Sequence, residues 1–478
     1  MQEDGLYLGL DQGGSSTKGL LLEGNGQVYW EDVVPISTIS RAELDGESVE
    51  HDPREILESF RKLIIAAKKS AAGKEIKSCG LSLQRSGVLA WKGEGSDLGE
   101  PISNIRTWRD SRNKNYIENL KAHADKVKEL SGLPLAYHFA ASKIAELQKI
   151  YPAARVGTMD AWLINALGGR SEFLTEESHA CRSQLYSLRE RVWSEELCRV
   201  FDVDKNRLPQ IKTTFSDFGA VCGIPISSIL GDQQAALFGL NTSQPILNLG
   251  TLGQIIVPHS LRDLVVAPSK QYPRIVRGYN TGVTCSRGAS EVDYQIEASI
   301  NCCGSVLEQC APKEGSDFRY GDIPDQDGVV FYPSQNTGSP DWTVGLATRQ
   351  EDLIVGTPKY NRALLENVAF WISLNFRNLR AEGVLAADTK FFYALGGGSQ
   401  SDYLVQSIAT VTGMEVRRLK QFHGSAYGAG IGAFFAENRV FPSLKLTEEY
   451  QSFTPHSGAI LDRERTWNLL YAKAMGRG

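Results

Sequence analysis

The chain is most informative first for what it lacks. It has 8 cysteines in 478 residues and no C-x-x-C pair. That usage reads as reduced thiols in a cytoplasmic protein. Cys302 and Cys303 are adjacent and are expected on a helix. A bridge between such neighbours would be strained, so core filling is their expected role. No cluster of histidine, cysteine and carboxylate suggests a bound transition metal. No basic tail or patch is visible, and 51 basic against 56 acidic side chains leave a net charge of −5. Nucleic acid is therefore not expected as a partner. No apolar run approaches a membrane span, and the opening MQEDG is unlike a signal peptide, so no membrane is expected either. What remains is a soluble globular composition, 42% hydrophobic and 22% charged, too long for one ordinary core. Two large domains are expected.

Neither a G-x-x-x-x-G-K-[ST] loop nor a G-x-G-x-x-G loop is present. The stretch Leu6 to Glu23, LYLGLDQGGSSTKGLLLE, offers similar parts in another order. It reads as strand, tight turn, strand. Gly13 and Gly14 are expected to let the backbone turn sharply and expose N–H groups. Ser15, Ser16 and Thr17 add hydroxyls, and Lys18 adds a positive charge. Asp11 could hold a metal directly or through water. These are the parts needed to cradle a nucleotide phosphate with magnesium. Taken alone, an ordinary glycine-rich turn explains the stretch as well. A second strand–turn–strand, Pro245 to Pro258, PILNLGTLGQIIVP, mirrors the first with Gly250-Thr251 in its turn. We read the pair as an internal duplication, with the division near Leu240 to Pro245.

Between the hairpins, Asp52-Pro53 reads as an N-cap and first helical position, followed by Ile56, Leu57, Phe60, Leu63 and Ile64 on one face. Ile76 to Leu83 reads as a strand that delivers Gln84, Arg85 and Ser86 at its carboxyl end, where open α/β sheets present residues to ligands. Ile102 to Trp108 reads as a strand and Asp110 to Leu130 as a helix. Asp160 is expected to cap a helix from Ala161 to Leu167. Asp232, in GDQQAALFG, follows a strand and opens a helix; an N-cap role is the plain alternative to a chemical one. Further on, helices are expected near Ala289 to Gln309 and Tyr360 to Glu382. Phe391 to Leu395 reads as a strand, Gly396 to Ser399 as a turn, and Asp402 to Val411 as a helix. Such a turn offers N–H donors for a phosphate or ribose, or merely packs tightly. Gly424 to Ala436 is a small-residue helix suited to close approach against a sheet.

The stretches LDQGGSSTK, VEHDPREI, SLQRSG, TWRDSR, GDQQAALFG and ALGGGSQSDYLVQ, in this order, resemble the FGGY carbohydrate kinases, and within them the glycerol kinases. The resemblance implies two related actin-like ATPase (ribonuclease H-like) α/β domains around an interdomain cleft. It implies transfer of the γ-phosphoryl group of ATP, with Mg2+, to a hydroxyl of a small sugar or polyol. Residues 1–242 would form the substrate and first phosphate-hairpin domain, residues 243–440 the nucleotide domain, and residues 441–478 an extension packed on the second. Carried over by motif, Asp232 is the general base. Gln233, Arg85, Ser86, Trp108 and His138 face the substrate. Asp11 stands on the magnesium side and Lys18 on the nucleotide phosphates. Gly13, Gly14, Ser15, Ser16, Gly250, Thr251, Gly288, Gly397 and Gly398 surround the nucleotide. Ser86 stands where glycerol kinases carry glutamate, His138 where they carry tyrosine, and Glu146 where the signature expects tryptophan. Those departures favour a larger polyol or a ketose over glycerol. Glycerol kinase proper is one alternative. An actin-like nucleotide-binding regulator without kinase activity is the other. Whether the chain forms a homodimer stays open.

Overall fold

A computed structural model describes residues 5–43, 46–250, 252–259, 279–288, 290–300, 303, 330–331, 348–349, 358–420 and 423–474. Two large sheets organise them. The first runs, in spatial order, Ala220–Val221, Ile224–Gly231, Glu75–Leu83, Gly5–Gln12, Ser16–Glu23 and Val28–Pro35. The second runs Asn280–Ser286, Val292–Ile300, Gly253–His259, Ile246–Leu249, Phe391–Leu395, Glu415–Leu419 and Tyr450–Phe453.

Six positions of the second sheet repeat the plan of the first. Each hairpin supplies two antiparallel strands, Leu6 facing Glu23 in one and Ile246 facing Ile256 in the other. Outside the hairpin's second strand lies another antiparallel strand, Val28–Pro35 or Val292–Ile300. On the other side two parallel strands follow, then an antiparallel edge. The first strand of each hairpin is largely buried on both faces, as expected of strands central in a covered sheet.

The long helices follow the sequence pattern. Asp52 caps Pro53–Ser70, its carboxylate accepting from the Arg54 N–H at 2.8 Å, and Ile56, Phe60, Leu63 and Ile64 pack into the first core. Leu57 packs against that core only partly buried. Each fully buried side chain of this kind contributes about 1.5–3 kcal/mol. In the second half Pro358–Ala381 carries Phe370, Trp371 and Phe376 into the core. The C-terminal helix Ile460–Ala474 sets Trp467 edge-on to Trp371, with ring centroids 5.2 Å apart.

A pair of equivalent helices joins the halves. Asp232–Leu240 follows the strand Ile224–Gly231, and Gly424–Asn438 follows Glu415–Leu419. They pack on each other so closely that a Cβ on Gly428 would lie 1.8 Å from the Ala235 carbonyl oxygen. Gly424–Asn438 also lies against the first sheet, where a Cβ on Gly9 or Gly80 would strike the carbonyl oxygens of Ala426 or Ala429 at 2.2 and 2.0 Å. The expected small-residue helix is there, and the sheet it approaches belongs to the opposite half of the chain.

Several local expectations fail for identifiable reasons. The region expected as a helix from Ala289 contains the strand Val292–Ile300. Val292, Tyr294, Ile296, Ala298 and Ile300 alternate with polar residues, which is strand periodicity. Cys303 is buried beyond that strand, and Cys302 lies outside the described residues. The helix expected over Asp110 to Leu130 is broken into Lys114–Asn119, a short 3-10 turn and Ala124–Ser131. Asp110 is engaged elsewhere, accepting from the Val49 N–H and pairing with Arg112. The strand expected over Ile102 to Trp108 shrinks to Ile105–Arg106. Asp160 does not cap its helix, which begins at Met159; its carboxylate accepts from Thr175 Oγ1 at 2.6 Å and the Glu176 N–H at 2.9 Å. No helix among the described residues is long and apolar enough to cross a membrane.

Candidate active site

Between the halves lies a cavity of about 580 Å³. Its size suits a small-molecule site. Strand ends and helix starts from both sheets meet there.

The first hairpin closes with the Gly13 N–H donating to the Ser16 carbonyl at 2.9 Å. Register sets Asp11 opposite Lys18, and their side chains stand 3.5 Å apart. Asp11 is buried and accepts from Ser82 Oγ at 2.7 Å. Burial raises its carboxyl above the ordinary value, and Lys18 and Ser82 pull the other way. Asp11, Gly13, Gly14, Ser15, Ser16 and Lys18 all line the cavity. The glycines are not there for backbone freedom. Neither has a positive φ, and an added Cβ would find its nearest neighbour at 3.4 Å for Gly13 and 4.0 Å for Gly14. What glycine supplies at this turn is room beside the cavity.

The strand Glu75–Leu83 ends in Gln84, Arg85 and Ser86, all buried and all on the cavity wall. Arg85 Nε pairs with Asp232 Oδ1 at 2.9 Å. Arg85 Nη1 pairs with Glu297 and lies 3.2 Å from Gln234 Oε1. Ser86 has φ of +63° and donates to the Arg182 carbonyl at 3.2 Å. A strained backbone at a strand end is characteristic of functional turns.

Asp232 opens its helix at the first helical position, with Gly231 as N-cap, so it is not the capping residue. Its side chain remains partly exposed to the cavity, where it holds Arg85 and accepts from the Gln233 N–H at 2.9 Å. Gln233 Oε1 accepts from Asn248 Nδ2 of the second half at 2.9 Å, and Ser425 Oγ donates to the Asp232 carbonyl at 2.9 Å.

Trp108 is partly exposed at the cavity, not a core aromatic. His138 Nδ1 lies 3.2 Å from the Trp108 carbonyl. The loop carrying His138 is pinned by buried Lys143, whose ammonium donates to the carbonyls of Tyr137, His138 and Phe139 at 3.0–3.1 Å. Burial brings that ammonium down to about 7. Glu146 forms a forked pair with Arg106, at 2.6 and 3.2 Å.

From the second half, Leu249, Gly250, Gln254, Gly396, Gly397, Gly398 and His423 face the first hairpin across the cavity. Gly396 is the glycine that backbone geometry demands: φ is +89°, and a Cβ would lie 2.6 Å from Asn248 Oδ1. Thr251 lies outside the described residues. Gly288 is a correction to the sequence reading. It does not line the cavity; its carbonyl accepts from Arg191 at 3.4 Å. It follows the strand Asn280–Ser286, whose Asn280 end faces the cavity, so roughly seven residues of strand, about 20 Å, carry it away.

Sequence reasoning missed Glu297, Arg182, Asn248, His423 and Ser425, and named Gly396 only as part of its turn. The expected helix at Ala289 to Gln309 concealed Glu297, whose strand alternation was the available signal. Arg182 lies in no motif that stood out.

Comparison with known proteins accounts for this arrangement. Models of the FGGY family of carbohydrate kinases match residues 6–239 with their N-terminal domain and residues 264–437 with their C-terminal domain. The chain belongs to the FGGY carbohydrate kinases. It is 28% identical over 463 residues to the glycerol kinase of Aquifex aeolicus, covering 90% of each protein. It is 29% identical over 464 residues to that of Citrifermentans bemidjiense, covering 89% of this chain and 90% of the relative. Among solved structures, the glycerol kinase of Plasmodium falciparum with ADP superposes with a TM-score of 0.81 at 20% identity, over 99% of this chain and 98% of that one. The xylulose kinase of Rhodospirillum rubrum gives 0.79 at 18% identity, over 98% and 99%. These likenesses establish the actin-like ATPase fold. As an FGGY kinase, the protein is an ATP-dependent phosphotransferase with an alcohol group of a sugar or polyol as acceptor. That disposes of the alternative of a nucleotide-binding regulator without kinase activity.

Proposed function

We propose that this kinase phosphorylates a polyol or ketose larger than glycerol, with Asp232 as general base. The observation that carries the reading is the meeting in one cavity of Asp232 and Arg85, the Asp11–Lys18 pair and the glycine turn of the second sheet. The acceptor hydroxyl oxygen attacks the γ-phosphorus while Asp232 takes its proton. The bond from γ-phosphorus to the bridging oxygen breaks, and ADP leaves. Lys18 neutralises phosphate charge. The uncharged turns at Gly250 and Gly397-Gly398 leave space for the nucleotide, and Gly397-Gly398 can offer it N–H groups. Trp108 offers an apolar face to the carbon skeleton, and Gln233 and His138 offer polar contacts.

Magnesium fits the donor set. Asp11 gives hard carboxylate oxygen beside the phosphate turn, and no group of three or more histidine, cysteine or carboxylate side chains suited to a metal occurs among the described residues. That matches an ion held by one carboxylate, water and substrate phosphates. Bound there, it would neutralise charge on the phosphates. The cysteines among the described residues are all unbridged, which supports a cytoplasmic location.

Ser86 supports the larger acceptor. Its short side chain turns to the Arg182 carbonyl and leaves open the space a glutamate would fill. The glycerol kinase relatives favour glycerol itself as the second reading. Steady-state kinetics over a panel of polyols and ketoses decide between them. We expect kcat/KM to be highest for an acceptor of about four to seven carbons. A preference for glycerol of more than roughly tenfold, about 1.4 kcal/mol, would reverse the assignment.

A further inference from the structure

The floor of the cavity holds two guanidinium groups from the first half of the chain, Arg85 and Arg182. Each is more than nine-tenths buried. Both are anchored by one carboxylate from the second half. Glu297, on the strand Val292–Ile300, is 1% exposed and lies behind the arginines, off the cavity lining. Its Oε1 pairs with Arg85 Nη1, and its Oε2 stands 3.1 Å from Arg182 Nη1. Gln295 Nε2 donates to the same Oε1. Burial opposes the ionised form, but Arg182 and Arg85 outweigh it and hold the carboxyl below its ordinary range.

Asp232 is the other carboxylate at ion-pair distance from these arginines among the described residues. Two positive and two negative groups therefore balance, and a neutral floor suits a neutral acceptor. Both arginines line the cavity, where an acceptor's oxygens would meet them. Ser86, next to Arg85, adds no charge of its own.

We propose that Glu297 is a positioning and specificity-determining residue of this kinase. It holds Arg85 and Arg182 from behind, from the second half, as a pair aimed at the acceptor. Acceptor binding is thereby tied to the junction of the two halves. The proposal rests on the carbohydrate kinase reading.

The test is steady-state kinetics of the full chain as wild type, E297Q, E297D and the double variant E297Q/S86E, with the best acceptor of the panel and with ATP. Wild type must first turn over one acceptor; failure there strikes the kinase reading. With an active wild type, E297Q should raise acceptor KM by roughly tenfold or more and leave ATP KM within about twofold. The surplus positive charge should also improve kcat/KM for an aldonic acid relative to the matching polyol. E297Q/S86E, which returns a carboxylate from the other side, should recover most of the lost acceptor affinity. Unchanged acceptor KM in E297Q, or equal rises for acceptor and ATP, would overturn the proposal. If E297Q does not fold, E297D is read in its place. It keeps the charge on a shorter arm, and an unchanged acceptor KM there overturns the proposal equally.

Discussion

The two sheets share a strand plan but differ in what they bring to the cavity. At equivalent strand ends the first half presents Gln84-Arg85-Ser86 and the second presents Gly396-Gly397-Gly398. At the hairpin turns the first presents Asp11 and Lys18, the second Asn248 and Gly250. At equivalent helix starts the first presents Asp232, the second Gly424 and Ser425. Duplication thus preserved the scaffold while charge collected on one side and bare backbone on the other. The third strands differ as well. Val28–Pro35 is a largely exposed edge, whereas Val292–Ile300 is covered by the further strand Asn280–Ser286 and carries the buried Glu297. That one covered strand is how the second half places a charge behind Arg85 and Arg182.

The largest break in this comparison should come at the paired helix starts. Asp232→Asn is expected to lower kcat by roughly 10²- to 10⁴-fold with ATP KM little changed, the usual contribution of a positioned base. Ser425→Ala, at the equivalent place, removes only a hydroxyl that donates to the Asp232 carbonyl, and should cost less than about tenfold. Near-normal turnover of Asp232→Asn on the true acceptor would remove the chemical asymmetry between the halves.

The hairpin turns come next. Lys18→Ala should lower kcat/KM for ATP by roughly 10²-fold through lost phosphate neutralisation. Gly250→Val should raise ATP KM comparably, because the nearest atom to its added Cβ is the Leu252 carbonyl oxygen at 3.7 Å and the rest of the side chain enters the cavity. Acceptor KM should move little in either. A defect confined to the acceptor would contradict the division of labour.

The helix pair gives a stability effect. Gly428→Val sets a branched side chain against the Ala235 backbone, where a bare Cβ already lies at 1.8 Å. Overpacking of this kind costs about 1–3 kcal/mol or more. Urea unfolding should show a lower midpoint, and an unchanged midpoint would mean the helices separate without penalty.

Much of this was legible in the sequence because it is local. The strand Phe391–Leu395 ends where its apolar run meets glycine, and Asp52-Pro53 starts its helix by capping chemistry. Both hairpins follow from apolar runs broken by turn residues. The nonlocal features were not legible. Arg85 and Glu297 are 212 positions apart, and no spacing rule joins them. On the strand Val292–Ile300 the polar residues Gln295, Glu297 and Ser299 are as buried as the apolar ones, so polarity gave no clue to exposure. Asp110 and Asp160 looked like helix starts because carboxylates often cap. Each instead satisfies groups from elsewhere in the fold, a choice set by tertiary contacts.

The last effect is one of pH and concerns a buried carboxylate behind Asp232. Glu176 accepts from the Ser178 N–H at 2.7 Å and from Thr214 Oγ1 at 2.6 Å, and Ser178 Oγ accepts from the Gly231 N–H at 2.9 Å. Burial pushes Glu176 up to about 8, and Glu177 and Asp160 add to the rise against those hydrogen bonds. An unfolded chain loses this proton near the ordinary value of 4.5, whereas the folded chain keeps it to about 8. Across that window the folded state binds one more proton, so the contribution of Glu176 to stability falls as pH rises and levels off above it. Glu297 has the opposite sign. Its carboxyl is held below the ordinary value, so its contribution is present at higher pH and fades as pH falls through the folded value. Glu176→Gln stays neutral throughout. Its melting temperature should therefore gain on wild type between roughly pH 5 and pH 8.5. Glu297→Gln should lose ground to wild type only below that range, as pH rises to about 4.5, and hold a constant gap above it. If the gap between Glu176→Gln and wild type is constant across that range, Glu176 is already ionised in the folded state at the acid end, and the two halves do not differ in the protonation of their buried carboxylates.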